Sequence, residues 1–551
     1  MIHFFLDTDW KDFRYEELDS LLEMAGVDPS TAYTRNSEGA DSPFLRIELP
    51  DVSTAVAVCR RSVLIKHIYE LWSDSSDLDT CINTMKGKCS SGFFENFTTS
   101  DSWGLYFDAF RRTLSHEEKQ SYVSELSFLS LPGPVKLKHP DVPVYLLLSY
   151  CRAEGKSGGD SPEKMDLQWS YIGRLIAIGG MREELKKYDL KKRFYLGPTS
   201  LDHALTLIMG NIAKIKPGSV VLDPFVGTAS ILVGATHFGG FCTGCDIDIR
   251  VLRGGMHAGV RTGGSEQQQS NKEVDGSQPS KFAGKGVPKK RKKTPDSVER
   301  SIWENFRRYS LPRPEIIRMD NHLFDRHCEL SVASCRFDAI VTDPPYGIRA
   351  GAKKSGRRGP HLEIPDDRRE DLIPCTQAYA VEEVMLDLLH VAAASLKMNG
   401  LLVYLIPTPY DFTINDLPMH PCLEITGLSM QGLSTRHSRH LVVMKKVREL
   451  TDEYRGEFAA YSEKVMKGED SGFGLLIGKL QLALAPDGYT NEQVVKQASK
   501  SAIKRKDRRT KRFNLKQDKD RPRRDTDCDD GTHHVGTSDQ IPDNECADTN
   551  V

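Results

Sequence analysis

The sequence predicts an α/β protein in which a smaller α+β region precedes a doubly wound, mostly parallel sheet. Short apolar runs alternate with helical periods from about residue 186 to residue 448. Three of those runs end in aspartate, at Asp223, Asp246 and Asp343, as strands do whose carboxyl ends bind a ligand. At 551 residues the chain is also too long for one compact domain, so separate units joined by linkers are expected.

Composition narrows the class of protein. Hydrophobic residues make up 39% of the chain, and 75 basic against 77 acidic side chains give a net charge of −2. With a near-neutral total, only local patches can reveal a nucleic-acid partner. No apolar run approaches a membrane span, and the start of the chain is too short for a signal peptide. The 12 cysteines form no framework, which favours reduced thiols in a soluble, intracellular protein. Cys242 and Cys245 have no second pair, so no metal site is predicted.

The first 185 residues predict an α+β region in two parts, residues 1–80 and residues 81–185. The predicted strands are Ile2–Leu6, Phe44–Leu49, Trp103–Phe107 and Val142–Tyr150, and the predicted helices are Tyr15–Gly26 and Ser115–Leu129. No catalytic constellation occurs in this region. Basic side chains beside aromatic residues, at Arg111, Arg112, Lys136 and Lys138, hint at RNA phosphate contact, although a solvated surface explains each of them more simply.

The second region, residues 186–448, contains a loop typical of nucleoside-cofactor binding. A strand at Ser219–Asp223 leads through Pro224-Phe225-Val226-Gly227-Thr228 into a helix at Ser230–His237. The glycine permits close backbone approach, and the helix N-terminus faces the ligand. Neither G-x-G-x-x-G nor G-x-x-x-x-G-K-[ST] is present, which disfavours dinucleotides and ATP.

The remaining alternation completes a seven-stranded sheet. The strand Phe241–Ile247 carries Asp246 near its end, with Asp248 two residues on, and a carboxylate there can bind ribose hydroxyls. Further strands are predicted at Glu315–Met319, Leu401–Ile406, Leu423–Leu428 and His440–Lys445, and helices at Leu201–Ala213, Val298–Tyr309 and Val381–Leu396. Residues 193–202 are predicted to run from a strand into the first of these helices. The last two strands are nearly consecutive, so one end of the sheet should be antiparallel.

Two segments are expected to be disordered. Residues 263–298 are rich in Gly, Ser, Gln and Lys and contain the basic run 288–293, which would suit a nuclear signal, an RNA contact or a solubilising loop. Residues 449–551 form a tail, first basic and then acidic, in which periodicity weakens. A solvated tail is the simplest interpretation of its charge.

The most informative stretch is Phe337–Arg349. Its apolar run predicts a buried strand that stops at Asp343, because Pro344 and Pro345 donate no hydrogen bond to a sheet. The Asp343 carboxylate and the freed Pro344 carbonyl can accept the hydrogens of a planar amino group, while Tyr346 can stack on a flipped base. This arrangement is typical of amino-group methylation.

These motifs, in this order, resemble those of a class I S-adenosylmethionine-dependent amino-methyltransferase. With Arg193–Asp202 and the α+β region before it, the chain is similar to the catalytic subunit of the eukaryotic tRNA (guanine(10)-N2)-methyltransferases over roughly residues 1–448. The resemblance implies a ferredoxin-like piece at residues 1–80, a THUMP RNA-binding domain at residues 81–185 and a methyltransferase domain at residues 186–448. It also implies methylation of the exocyclic N2 of guanosine 10 in tRNA.

The resemblance assigns roles to individual residues. Asp343, Pro344, Pro345 and Tyr346 would form the catalytic turn. S-adenosylmethionine would be bound by Thr199, Ser200, Asp223, Phe225, Gly227, Thr228, Asp246 and Asp320, with Asp246 at the ribose and Asp320 at the adenine. One residue departs from the family pattern. Ala229 stands where many relatives have glycine, and a positive φ there would be strained.

The resemblance also implies two macromolecular partners, tRNA and a small zinc-binding activator subunit that covers apolar surface of the methyltransferase domain. For tRNA, the segment from Arg349 to Arg369 places many cations among glycines just after the catalytic turn. The simplest interpretation of these cations is a solvated loop. The functional interpretation is that five of them bind tRNA phosphates, namely Arg349, Lys353, Lys354, Arg357 and Arg358.

Two alternatives remain open from the residues alone. An adenine-N6 or protein-glutamine methyltransferase also needs an acidic or amide residue before Pro-Pro-aromatic, since its target carries a planar amino group. A noncatalytic RNA-binding module with a degenerate fold is the other, and the intact Asp223, Gly227, Asp246 and Asp343 argue against it.

Overall fold

The computed structural model of the chain describes residues 1–4, 10–37, 42–152, 165–197, 200–252, 300–325, 337–346, 352–356, 376–434, 437–469 and 472–483. The predicted insertion 263–298 and the chain beyond residue 483 lie outside these ranges. Within them, none of the helices combines the length and the apolar character that a membrane span requires.

The N-terminal region folds as one mixed sheet with helices. Its strands are β1 (Ile2–Phe4), β2 (Phe44–Leu45), β3 (Ile65–Ser75), β4 (Trp103–Phe110), β5 (Val142–Arg152) and β6 (Met165–Ile178), and its helices are α1 (Arg14–Met24), α2 (Pro29–Ala32), α3 (Val52–Arg61), α4 (Leu78–Ser90), α5 (His116–Glu125) and α6 (Met181–Tyr188). The strand order is β2-β1-β3-β6-β5-β4. Only β4 and β5 pair in parallel among these strands.

This sheet corrects the predicted boundary at residue 80. Strand β3 pairs with β1 on one side and with β6 on the other, so residues before and after residue 80 share one set of ladder hydrogen bonds. The sequence suggested two parts because β6 is separated from β3 by about a hundred residues. Pairing between strands so far apart in the chain leaves no local signal.

The second region forms the predicted seven-stranded sheet. Its strands are β7 (Val220–Asp223), β8 (Phe241–Asp246), β9 (Glu315–Arg318), β10 (Phe337–Thr342), β13 (Leu396–Pro409), β14 (Leu423–Gly432) and β15 (His437–Lys446), and the short strands β11 (Lys353–Ser355) and β12 (Thr376–Ala378) pair with each other. Its helices are α7 (His203–Ile212), α8 (Ser230–His237), α9 (Ile249–Leu252), α10 (Ile302–Tyr309), α11 (Val381–Ser395), α12 (Asp452–Lys467) and α13 (Phe473–Ala483).

The strand order is that of a doubly wound sheet, β14-β15-β13-β10-β7-β8-β9. Strands β13, β10, β7, β8 and β9 run parallel, and β15 is antiparallel to both of its neighbours. The fold class and the antiparallel end are therefore confirmed. The order reverses at β7 and β10, and ligands bind outside the carboxyl ends of strands at such a point. Cys242 and Cys245 pack into the two different cores on opposite faces of this sheet.

Helices α12 and α13 correct the prediction that the tail begins at residue 449. Phe458 and Val465 of α12, and Phe473, Leu476 and Ile477 of α13, are buried in the core that covers one face of the seven-stranded sheet. Their spacing of three, four and seven residues is a helical period. The sequence analysis missed this period because α12 is rich in charged residues, which make up seven of its 16 positions.

The two regions share a hydrophobic core. Phe13, Val63 and Leu64 of the N-terminal region are buried in the same cluster as Leu205 of α7 and Val403 of β13. Burying aromatic and aliphatic side chains in this way contributes about 1.5–3 kcal/mol for each fully buried residue. The interface therefore holds the two regions as neighbouring parts of one core.

A buried carboxylate lies in this interface. Glu17 of α1 is 1% exposed and accepts four hydrogen bonds, from Ser62 Oγ at 2.6 Å, Val63 N at 2.9 Å, Leu64 N at 3.0 Å and Asn211 Nδ2 at 2.7 Å. Burial raises the pKa of Glu17, and the hydrogen bonds partly offset that rise. Because Asn211 belongs to α7, one side chain joins the N-terminal region to the methyltransferase-like sheet.

We expect Glu17→Ala to lower the free energy of unfolding by about 1–3 kcal/mol, because the buried groups that donate to Glu17 would lose their acceptor. Glu23→Ala is the matched control on the same helix. Glu23 pairs with Lys214 at a position where about half of the Glu23 side chain is exposed, and such pairs contribute about 0–1 kcal/mol. Urea unfolding followed by fluorescence measures both values. Equal effects of the two substitutions would contradict the assigned role of Glu17.

Candidate active site

Four of the predicted acidic residues meet at one edge of the seven-stranded sheet. Asp223 and Asp246 end β7 and β8, Asp343 directly follows β10, and Asp320 comes two residues after β9. Parallel strands place their carboxyl ends at the same edge. The structure therefore brings together the predicted catalytic turn and most of the predicted cofactor residues.

Asp223 connects the cofactor loop to the catalytic strand. It is 1% exposed, and its Oδ1 accepts hydrogen bonds from Thr342 Oγ1 at 2.7 Å and from Phe225 N at 3.1 Å. Burial raises the pKa of Asp223 to about 7, and the negative charges of Asp246 and Asp343 add to the rise. The Asp223 carboxylate thus positions the backbone of one loop and the strand that leads to the other.

Asp246 holds the turn around Gly227. Its Oδ2 accepts a hydrogen bond from Gly227 N at 3.0 Å, and its Oδ1 accepts one from Asp248 N at 2.8 Å. Burial raises the pKa of Asp246. Gly227 has φ +49°, and a Cβ added to it would meet no atom within 4 Å, so the loop faces open space here. A ligand in this space would lie beside Asp246, the carboxylate predicted to bind ribose.

Asp248 has a different partner. Arg250 Nε and Nη2 donate to its two carboxylate oxygens at 2.7 Å and 2.6 Å. These hydrogen bonds lower the pKa of Asp248. Both oxygens of Asp248 are thus engaged by one guanidinium, whereas those of Asp246 accept hydrogen bonds from backbone amides.

The residue after Thr228 has the positive φ at which the sequence analysis expected strain. Ala229 is fully buried and adopts the left-handed conformation, with φ +64° and ψ +34°. An L-residue pays roughly 1–2 kcal/mol for this conformation. Such strain persists where the surrounding structure fixes the backbone, as it does beside ligand sites.

The segment that precedes α7 differs from the prediction. Residues 193–197 do not form a sheet strand. Instead, buried Arg193 donates from Nη1 to Ser230 Oγ at 2.7 Å, and Asn305 exchanges hydrogen bonds with the Tyr195 backbone at 2.9 Å and 2.7 Å. Helix α7 begins at His203 with Asp202 as its N-cap. Hydrogen bonds that involve side chains from distant parts of the chain therefore hold residues 193–197 in place of strand pairing. No local sequence pattern predicts such contacts.

Ser200 and Thr228 contact each other, with their hydroxyl oxygens 2.9 Å apart. Ser200 Oγ also donates to the Gly197 carbonyl at 3.1 Å. The predicted cofactor residue Thr199 lies outside the described residues. The two described hydroxyls therefore border the Gly227 turn from the side of α7.

Asp320 lies at the far side of the crevice. It is 5% exposed, and its two oxygens accept hydrogen bonds from His322 N at 3.1 Å and from Ser355 N at 2.6 Å. The neighbouring Asn321 donates from Nδ2 to the Pro224 carbonyl at 2.6 Å, and its buried Oδ1 has no hydrogen-bond partner within the described ranges. The sequence analysis missed Asn321, although its place directly after a strand-end aspartate was a signal.

The catalytic turn is held by the hydroxyl of Tyr346. This hydroxyl contacts an oxygen of Asp343 and lies 2.6 Å from the Leu405 carbonyl oxygen, so its single hydrogen can be donated to either acceptor, while the ring packs against the shared core. Burial raises the pKa of Asp343, and the Tyr346 hydroxyl and the Arg439 charge partly offset this rise. Pro344 is buried and Pro345 is half-buried between them. The turn is therefore fixed before any substrate arrives.

Arg439 of β15 is a second residue that sequence reasoning missed. Its guanidinium donates to Gln431 Oε1 from Nη2 at 2.6 Å and from Nε at 3.2 Å. Its charge acts on both Asp343 and Tyr346. A charged residue shortly before the apolar run 441–444 was the available signal, but only the pairing of β13 with β15 places it at the site.

The predicted phosphate-binding residues have separate environments. Lys353 is exposed. Lys354 is 11% exposed, and its Nζ donates to Glu383 Oε1 at 2.6 Å. Arg349, Arg357 and Arg358 lie outside the described residues. Because Lys354 is committed to an internal ion pair, we remove it from the proposed phosphate contacts and keep Lys353.

In the N-terminal region, Lys136 and Lys138 are exposed, whereas Arg112 pairs with Glu118. Tyr150 also lies beneath the Arg112 guanidinium, at 5.1 Å. Of the residues that hinted at RNA contact, the two lysines therefore remain accessible and Arg112 stabilises its own region.

Comparisons with known proteins identify relatives of the N-terminal region and of most of the chain. Residues 1–180 match the family model described as Tmrp11 THUMP N-terminal domain. The chain is 32% identical over 454 residues to the tRNA (guanine(10)-N(2))-methyltransferase TRMT11 of Homo sapiens, covering 80% of this chain and 88% of that protein. It is 30% identical over 464 residues to the Gallus gallus protein of the same name, covering 84% and 91%.

Among solved structures, the crystal structure of TrmN from Thermus thermophilus covers 74% of this chain and 91% of its own, with 15% identity and a TM-score of 0.33.

The geometry predicts different effects for the two neighbouring carboxylates. Asp246→Ala should weaken S-adenosylmethionine binding by roughly 1–3 kcal/mol, because ribose hydroxyls lose a charged acceptor. Asp248→Ala should change it much less, since Arg250 occupies that carboxylate. Isothermal calorimetry with each variant gives the two values. A larger loss for Asp248→Ala would reverse the assignment.

Proposed function

The chain belongs to the tRNA (guanine(10)-N(2))-methyltransferase TRMT11 family, and from this we propose that it transfers a methyl group from S-adenosylmethionine to the N2 amine of guanosine 10 in tRNA. The observation that carries the proposal is the site itself. A preorganised Asp343-Pro344-Pro345-Tyr346 turn lies at the same sheet edge as the buried carboxylates Asp223 and Asp246. The adenine-N6 and protein-glutamine alternatives are not favoured, because the relatives are named for guanine N2 methylation.

The charge of the site fits this cofactor. Asp223, Asp246 and Asp343 have pKa values raised by burial, and Asp223 is further raised by the other two. A cluster of carboxylates whose pKa values are raised by burial favours a cationic ligand. When bound, S-adenosylmethionine supplies an electrophilic methyl on a positively charged sulfonium, next to an ammonium group. In this proposal Asp223, Phe225, Gly227 and Thr228 line its methionine end, Asp246 binds the ribose and Asp320 binds the adenine amine.

The chain's own groups direct the transfer. Asp343 and the Pro344 carbonyl accept the two hydrogens of the guanine amine, which turns its lone pair toward the methyl. The Tyr346 hydroxyl, bonded to Leu405 O, keeps Asp343 from rotating away. The amine gains acidity as its new N–C bond forms, and Asp343 is placed to stabilise the departing proton. Its main contribution is thus orientation and electrostatic stabilisation in a dry site.

The test of this function is methyl transfer to unmodified tRNA with mapping of the modified base. Asp343→Ala should reduce kcat by more than about 100-fold, the usual effect of removing a preorganised polar group, and leave S-adenosylmethionine affinity within a few-fold. Asp343→Asn should keep part of the activity, because its amide oxygen still accepts one hydrogen. A methylated base other than guanosine 10, or full turnover by Asp343→Ala, would refute the assignment.

The raised pKa of Asp343 predicts a pH dependence of kcat. The carboxylate is the acceptor, so activity should be present above the pKa of Asp343 and fall as pH drops through it. Because burial raises that pKa, the acidic limb should lie above the range of an ordinary aspartate, about 3.9. Asp343→Asn does not titrate and should lack this limb. A limb of the same position in both proteins would assign it to another group.

Substrate binding is proposed to use phosphate contacts from two places. The contacts proposed are exposed Lys353, together with Arg349, Arg357 and Arg358 from the same stretch of sequence, and exposed Lys136 and Lys138 of the N-terminal region. Cations of this kind position a nucleic acid without reading its sequence. We also propose a cytoplasmic enzyme, with nuclear access through the basic run 288–293.

We propose in addition that a small zinc-binding activator subunit binds at the β9 edge of the sheet. Strand β9 is paired only with β8 among the described strands. Phe241 is 69% and Ile317 is 49% exposed, and their register places both on the same face, because Cys245 lies opposite Ile317. An open strand edge beside apolar side chains is suited to a protein partner.

Replacing both Phe241 and Ile317 by serine should weaken binding of the activator subunit at least about tenfold, as loss of buried anchors does at interfaces. Leu137→Ser is the control, since Leu137 is 81% exposed in the N-terminal region. Both proteins can be titrated with the purified activator. Unchanged affinity of the double variant would move the proposed interface elsewhere.

A further inference from the structure

The short paired strands β11 and β12 lie across the cofactor side of the site. Ser355 N of β11 donates to Asp320 Oδ2 at 2.6 Å. Ala352 and Tyr379, at the base of the two strands, are buried in a small cluster with Val384 of α11 and the cofactor-loop residue Phe225. The segment that follows the catalytic turn therefore returns to touch both the adenine carboxylate and the cofactor loop.

An ionic cluster fixes this arrangement. Lys354 Nζ of β11 donates to Glu383 Oε1 at 2.6 Å and lies 3.3 Å from His322 Nε2. His322 Nδ1 is 2.9 Å from Asp387 Oδ2, which also accepts a hydrogen bond from the Tyr379 hydroxyl. Glu383 and Asp387 are one turn apart on α11, so one helix anchors both ends of the cluster.

The position of Lys354 makes its ion pair strong. Its side chain is 11% exposed and that of Glu383 is 24% exposed, so water screens the pair less than a surface pair. Burial acts to raise the pKa of Glu383, yet the Lys354 ammonium and the Ala380 amide hold it below its ordinary value. His322 directly follows Asp320 and Asn321, which connects the cluster to the adenine side of the crevice.

We propose that Lys354 is a positioning residue for the cofactor, because its ion pair with Glu383 holds β11 so that the Ser355 amide orients Asp320. The inference rests on the proposed function and adds a residue to it. The two lysines of β11 then have different tasks, since adjacent residues of a strand face opposite ways. Lys353 is free to contact tRNA, while Lys354 acts on S-adenosylmethionine through Asp320.

The test compares binding of S-adenosylhomocysteine by calorimetry in four full-length proteins. Lys354→Met should raise the dissociation constant about tenfold, as loss of one charge-assisted hydrogen bond does. Lys354→Arg keeps the charge and should restore affinity to within about threefold. Lys397→Met is the matched control, because Lys397 pairs with Asp338 at 2.6 Å near the opposite, amino-terminal end of β10. It should bind like the unchanged protein.

Two further measurements separate this role from others. In methyl transfer, Lys354→Met should raise KM for S-adenosylmethionine and leave kcat and the tRNA salt dependence nearly unchanged. Should Lys354→Met fail to fold, Glu383→Gln, which removes the charge at the same size, takes its place with the same tenfold expectation.

An unchanged dissociation constant together with a flatter tRNA salt dependence would overturn the inference and return Lys354 to the phosphate contacts. Failure of the unchanged protein to bind the cofactor would instead count against the proposed function.

Discussion

The hydrogen bond from Thr342 Oγ1 to Asp223 Oδ1 is the contact on which the site depends. It joins β7 to β10, the two strands at which the order of the sheet reverses. The cofactor loop begins immediately after Asp223, and the catalytic turn begins immediately after Thr342. A bond of 2.7 Å between two buried groups therefore fixes the position of this loop relative to this turn. Such preorganisation removes reorganisation from the reaction step.

Buried charge and backbone strain at the candidate site raise the free energy of the folded protein, and a bound cationic ligand would lower it. Buried carboxylates at the ends of β7, β8 and β10 raise one another's pKa or are raised by burial, and Ala229 adopts a strained backbone between two of them. A cationic ligand would favour the charged form of each carboxylate. Strain and like charge concentrated at one edge, with well-packed cores on both faces of the sheet, are expected of a binding site.

The N-terminal region is attached through polar as well as apolar contacts. Glu17 satisfies donors of its own region and Asn211 of α7, and Glu16 accepts a hydrogen bond from Ser429 of β14. Strand β14 also carries Gln431, which holds Arg439 beside Asp343. Contacts from the N-terminal region thus reach the strand that supports the catalytic turn. A tRNA held by that region would meet an active site at a fixed distance from it.

The sequence by itself determined the features that local chemistry specifies. Apolar runs, strand-end aspartates, the Pro344-Pro345 stop and the Gly227 turn predicted the seven-stranded sheet and placed Asp223, Asp246, Asp320 and Asp343 at its binding edge. Each of these signals is contained in a few consecutive residues.

The tertiary structure decided what depends on residues far apart in the chain. Only strand pairing showed that residues before and after residue 80 share one sheet, and only packing showed that α12 and α13 complete a core. The role of Lys354 changed because its partner Glu383 lies on another element, and Arg439 entered the site through β15. The sequence specifies which side chain stands at a position, but the fold specifies which side chain it contacts. A cation that is paired inside the fold stabilises the protein, whereas an exposed cation is available to RNA.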